Sequence, residues 1–164
     1  MNVPKGSFYH HFESKEQFGV ELIKYYSASA NAYKRQMLLS TNIESNPRSR
    51  LLTYFESSIA CSIENDGKCP CLIVKLASEV ANFSEPMREA MAEARYGEWS
   101  RITEEVLREG IEKKAIAPLH DPAKAAKLIS ILWMGALLES VISRTVEPLR
   151  LAIDHIAENL VPLA

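Results

Sequence analysis

Four times along this chain a polar or acidic residue stands directly before a proline, and each time an apolar repeat of helical period follows. The sites are Asn46-Pro47, Glu85-Pro86 behind Ser84, Asp121-Pro122 and Glu147-Pro148. Proline suits a first helical turn, where its missing N–H would find no partner and its φ is already helical. Ser14-Lys15-Glu16-Gln17 adds a capping box of S-x-x-Q form. No alternating strand and no turn-linked pair of strands interrupts these signals. The chain is predicted to be all-α. Its helices run from Ser14 to about Ser40, from Pro47 to Asn65, from Cys71 to Val80, from Ser84 to about Lys114, from Asp121 to about Arg144, and from Glu147 to near Leu160.

With 164 residues, 47% hydrophobic and 24% charged, the chain can bury a core without disulfides or metal. The net charge of −2 argues against nucleic-acid binding over the whole surface and leaves a local patch open. Three cysteines and no secretory apolar region near the N-terminus point to a reducing cytoplasm. The apolar run from Leu128 to Leu138 is shorter than the ~20 residues of a membrane span, so a buried helix is expected. That helix is apolar nearly all round, which fits either a central core helix or one shared with a second subunit. A homodimer built from the last two helices would use Leu138, Val141 and Ile142 with Leu149, Ile153 and Ile156.

The first fifteen residues, MNVPKGSFYHHFESK, pack three aromatics into one or two turns. A helix that short needs partners from elsewhere in a small domain. Lys5, Gly6, Ser7 and His10 surround the rings with donors suited to phosphates and base edges. The alternative is an amphipathic surface turn. The run Val3-Pro4-Lys5-Gly6-Ser7-Phe8-Tyr9-His10-His11-Phe12, with Ser14-Lys15-Glu16, closely resembles the recognition helix of TetR-family transcriptional regulators. The resemblance implies that Lys5, Gly6, Ser7, Tyr9, His10 and Lys15 face double-stranded operator DNA, Tyr9 and Lys15 through phosphates. It makes Phe8 and Phe12 packing residues. It also implies a partial helix-turn-helix domain over residues 1–20, with the helices that normally precede it missing, and a ligand-binding and dimerisation domain over residues 21–164.

Cys69-Pro70-Cys71 lacks the paired spacing of a zinc site, and no metal is expected. Cys61 lies on a helix stripe, where a small buried hydrophobe is the simplest reading. Cys71 falls at a helix N-terminus near Lys68 and Lys75, where the thiolate is favoured; an inert buried thiol is the alternative. Cys71-Leu72-x-Val74-Lys75-Leu76, Glu79-Val80, Ser84-Glu85-x-Met87-Arg88, and the late Leu132-Trp133-x-Gly135-Ala136 and Glu147-Pro148-Leu149 resemble the N-ethylmaleimide reductase repressor group of that family. The likeness implies that Cys71 senses electrophiles or oxidants. Tyr54, Phe55, Tyr96, Trp99 and Trp133 are expected to line a pocket between bundle helices, although aromatics at helical spacing also serve simply as core. Arg95 and Arg101 could pair an acid but read better as solvated side chains.

No Walker loop, dinucleotide fingerprint, G-x-S-x-G or H-E-x-x-H occurs, so neither an enzyme nor a cofactor is expected. The competing readings are a small helical enzyme using Cys71 and a module that only dimerises. His120 and His155 stand near helix ends without an evident role.

Overall fold

The computed structural model describes residues 9–42, 44–65 and 71–164, with the side chains of Ser78 and Tyr96 outside the description. Lys5, Gly6, Ser7, Phe8, Lys68 and Cys69 therefore lie outside the described residues. Every described element is helical. A turn at residues 9–11 precedes α1 (Lys15–Leu39), α2 (Pro47–Glu64), α3 (Leu72–Val80), α4 (Glu85–Ala92), α5 (Ser100–Glu112), α6 (Pro122–Ser143) and α7 (Glu147–His155). Two π-helical segments, Glu93–Trp99 and Ile156–Leu160, follow α4 and α7.

Local capping chemistry sets the starts. Ser14, Asn46, Ser84 and Asp121 each accept the backbone N–H three residues on, from Gln17, Ser49, Met87 and Lys124. The Gln17 side chain reaches back to the N–H of Glu13, at 2.6 Å. Two ends fall in the left-handed region, at Lys114 (φ 55°) and Arg144 (φ 54°). Gly110 lets the turn after α5 close tightly: a Cβ there would lie 2.4 Å from the Ile116 side chain.

The helix expected to run unbroken from Ser84 to Lys114 widens at Glu93–Trp99. A π segment bonds i to i+5 and so accommodates an extra residue. Side chains just beyond it take up carbonyls along this stretch. Ser100, Arg101 and Thr103 donate to the carbonyls of Arg95, Gly97 and Trp99. At the other π segment Arg48 donates to the carbonyls of Ala157 and Val161, at 3.0 and 2.6 Å, and so ties the end of the chain to α2.

Two apolar clusters result. The larger joins α2, α5, α6 and α7 through Leu51, Phe55, Ile102, Leu107, Ile129 and Ile153. The smaller joins the first half of α1 to α3 and α4 through Ile23, Ile73 and Met91. Phe12 packs edge-on against Phe18 at 5.0 Å, and Ser84 Oγ donates to Glu16 at 2.6 Å. The first contact holds the chain after the turn at residues 9–11 against α1, and the second ties the start of α1 to the start of α4.

By length and a mean hydropathy of 1.7, α6 could cross a membrane, a test that the core helix of a bundle also passes. Its buried side, Ala126, Ile129, Trp133 and Ala136, enters the larger cluster. Its other side exposes Leu128, Ile131, Leu138, Val141 and Ile142. The expected interface therefore divides. Leu138, Val141 and Ile142 do lie on an outer face, whereas Leu149, Ile153 and Ile156 are buried inside the protomer. The reason is that α7 turns its single apolar stripe inward against α2 and α6, leaving Leu151 exposed instead.

Candidate functional site

A cavity of about 370 Å³ opens between the two clusters. Three helices supply most of its wall. Ser27, Asn31 and Lys34 of α1 stand at i, i+4 and i+7, on one face. Tyr54, Ser58, Cys61 and Ser62 of α2 repeat that spacing. Ser130, Trp133 and Leu137 of α6 form a third side. The π segment contributes Arg95 and Trp99, and Cys71 with Ile73 closes the wall at the start of α3.

Trp99, Trp133 and Tyr54 surround the buried Phe55, whose ring lies 6.5, 4.5 and 5.5 Å from theirs. Phe55 thus backs the cavity without lining it, contrary to expectation. Its position on α2, one residue past Tyr54, turns it about 100° away. Tyr54, Trp99, Trp133 and Cys71 are on the wall as expected; the Tyr96 side chain lies outside the described residues. The sequence reading missed Lys34, Asn31 and Ser27. It also took Arg95 for a solvated residue. Arg95 is half-buried and donates from Nη2 to the carbonyl and the Oγ of Ser130, both at 3.1 Å. Arg101, by contrast, stays on the surface, bonded to Glu93 and to the Gly97 carbonyl. Cys61, expected to be plain core, reaches the cavity half-exposed.

The cavity is polar in an unusual way. Ser27 Oγ is buried without a hydrogen-bond partner, and such groups are rare in native interiors. Burial brings the pKa of Lys34 down to about 8, with Arg95 adding to the effect and Cys71 and Glu98 opposing it. Burial also pushes the Tyr54 phenol well above its usual range, against a hydrogen bond from Trp99. Glu98 is held below the usual carboxylate range by Arg35, against burial and with help from Asn31. Cys71 caps α3, with extended backbone and no side-chain cap bond. Among the described residues no group of three His, Cys, Asp or Glu side chains could hold a metal ion.

At the DNA-facing end suggested by the sequence, Tyr9, His10 and Lys15 are all exposed, Tyr9 by 59%. The described residues thus bring Cys71, Tyr54, Trp99 and Trp133 to one cavity, and leave Tyr9, His10 and Lys15 on the surface next to the start of α1.

Comparison with known proteins supplies the family. Residues 47–156 match the tetracyclin repressor-like C-terminal domain. The chain is 36% identical to the HTH-type transcriptional repressor NemR of Escherichia coli (strain K12), over 94% of this chain and 76% of that protein. It is 31% identical to the HTH-type transcriptional repressor DhaR of Mycobacterium sp. (strain GP1), over 98% of this chain and 77% of that one. The crystal structure of E. coli NemR in its reduced form superposes with a TM-score of 0.86, at 34% identity, covering 99% of this chain and 82% of that one. An all-α bundle with these relatives is a transcriptional regulator, and the chain belongs to the TetR family.

Proposed function

We propose that this regulator is a homodimeric repressor that holds operator DNA until its cavity takes up a small molecule, with Cys71 as the covalent point of capture for electrophiles or oxidants. The observation that carries this reading is the cavity itself. It combines a thiol at a helix start, five aromatic side chains and a buried hydroxyl left without a partner. Lys34 and Arg95 on the same wall equally favour noncovalent binding of a polar or anionic molecule.

The coupling route is α1. Its second half lines the cavity, and its first half packs on α3 and α4, tied at Glu16 to Ser84. An occupant that changes how the two clusters sit would move the start of α1. Tyr9, His10 and Lys15, with Lys5, Gly6 and Ser7, would then lose their register on DNA. In a dimeric reader that register is set by half-site spacing, so a small shift is enough. Residues 1–20 act as the DNA-binding portion and residues 21–164 as the sensor and dimerisation portion, working in the cytoplasm where the DNA is.

The test uses operator fragments selected from genomic DNA on the wild-type protein. One equivalent of N-ethylmaleimide should release the DNA and leave its adduct on Cys71. Cys71→Ser should bind the operator normally and need at least tenfold more reagent for release. Equal sensitivity of the two proteins would defeat the covalent reading.

The exposed face of α6 is the proposed dimer surface, formed by Leu138, Val141 and Ile142 and extended by Leu128 and Ile131. Leu138→Glu with Ile142→Glu should turn a dimer into a monomer in sedimentation equilibrium, weakening association about a hundredfold, since like charges meet across a two-fold axis. Both positions are at least half-exposed in the protomer, so helicity should persist. A variant that remains dimeric would place the interface elsewhere.

A further inference from the structure

The cavity holds an amine as well as a thiol. Lys34 Nζ lies 5.2 Å from the centre of the Trp99 ring. Its hydrogen bond to Asn31 Oδ1 is long, at 3.5 Å. No carboxylate comes within ion-pair distance of it among the described residues. Glu98, the acid whose field reaches it, is engaged by Arg35 at 3.0 Å and by Asn31 at 3.1 Å. The other charged or titratable groups on the wall are Arg95, Cys61, Cys71, Tyr26, Tyr33 and Tyr54. A lysine drawn largely out of water into a cavity, against an aromatic face and without a carboxylate at ion-pair distance, is the setting in which amines act as nucleophiles.

We infer that Lys34 is a second covalent capture site of this cavity, taking small aldehydes and ketones as imines. The inference rests on the reading of the cavity as the sensor site, and it names carbonyl compounds as one ligand class. The Lys34 nitrogen gives its lone pair to the carbonyl carbon, and the carbon–oxygen π pair moves to oxygen. Both amine protons end on that oxygen, which leaves as water while the nitrogen–carbon double bond forms. No oxidant or reductant takes part. With its pKa near 8, about a tenth of Lys34 is neutral at pH 7, against roughly 0.04% of an ordinary lysine. Tyr54, kept protonated by burial, and the unpartnered Ser27 hydroxyl stand on the same wall to hydrogen-bond the carbonyl oxygen or the carbinolamine.

Butanal separates this chemistry from that of Cys71, because a saturated aldehyde offers a thiol no site for conjugate addition. The wild-type protein is treated with one equivalent of butanal and cyanoborohydride at neutral pH, and its peptides are analysed by mass spectrometry. Lys34 should be alkylated at least tenfold faster than the exposed Lys24, Lys75 and Lys127. Cys71→Ser should keep that preference, and Lys34→Arg should lose the fast-reacting site. Labelling that follows exposure, with Lys34 no faster than the surface lysines, overturns the inference. If N-ethylmaleimide still modifies Cys71 in that case, the sensor reading stands and only carbonyl capture falls. A cavity that takes neither reagent overturns both.

Discussion

Arg50→Ala should destabilise the protein by about 3–5 kcal/mol, the range for breaking a buried charge pair and leaving its partners behind. The Arg50 side chain is fully buried. Its Nε donates to the Leu38 carbonyl at 2.8 Å, Nη1 to the Glu44 carbonyl at 3.1 Å, and Nη2 to Glu109. One guanidinium thus joins the end of α1, the turn after it, α2 and α5. Alanine leaves two carbonyls unsatisfied and an acid half in the interior. Lysine restores the charge but not the fork, so Arg50→Lys should fall between the two. Urea denaturation measures the loss, and a cost below about 1 kcal/mol would mean that water replaces the side chain.

The same variant should change the acid limb of stability. Burial pushes the Glu109 carboxyl up, but bonds from Lys113 and Arg50 outweigh it and hold the pKa below the usual value. A lowered native pKa means the unfolded chain binds more protons in that window. The contribution is complete above the ordinary glutamate pKa of about 4.3 and disappears as pH falls through the lower native one. Arg50→Ala should show a shallower loss there.

Lys34→Met should act in the opposite direction and stabilise the protein at pH 7 by about 1–3 kcal/mol. The lysine pKa falls from its ordinary 10.5 to about 8, and each unit corresponds to about 1.4 kcal/mol; partial solvation keeps the gain below the full product. Between pH 8 and 10.5 the unfolded chain binds more protons than the native one, so wild-type stability rises with pH across that window. The advantage of Lys34→Met should be largest below pH 8 and shrink towards pH 10.5. A variant less stable than wild type at pH 7 would show that the ammonium is well accommodated. A charge kept where it lowers stability is expected at a working site.

The helices were legible because their signals are local. Ser14, Asn46, Ser84 and Asp121 act within three residues of themselves, and the ends near Lys114 and Arg144 fall where the apolar repeat stops. The family was legible in the aromatic N-terminal run and the cysteine segment. The cavity was legible only in its aromatics and in Cys71. Lys34 and Asn31 belong to a helix with no marked apolar face, and their environment comes from Glu98 and Trp99, more than sixty residues away. Nothing local announces that. Arg95 was misjudged for a related reason: its partner Ser130 stands on α6, 35 residues further along the chain. Leu149, Ile153 and Ile156 show the converse difficulty: they are buried within the protomer, and an apolar stripe does not by itself say whether its partner is the same chain or a second copy.

The division of the apolar interior into two clusters has a mechanical meaning. The smaller, built on Ile23, Ile73 and Met91, holds α3 and α4 with few buried contacts, so it belongs to the low-stability end of the molecule. The proposed occupant, bonded to Cys71 on one side and packed on Trp133 on the other, would add the cohesion that this seam lacks. On the proposed function, such a protein would convert the chemical identity of a small molecule into stiffness, and the DNA end would read out whether the two halves move as one.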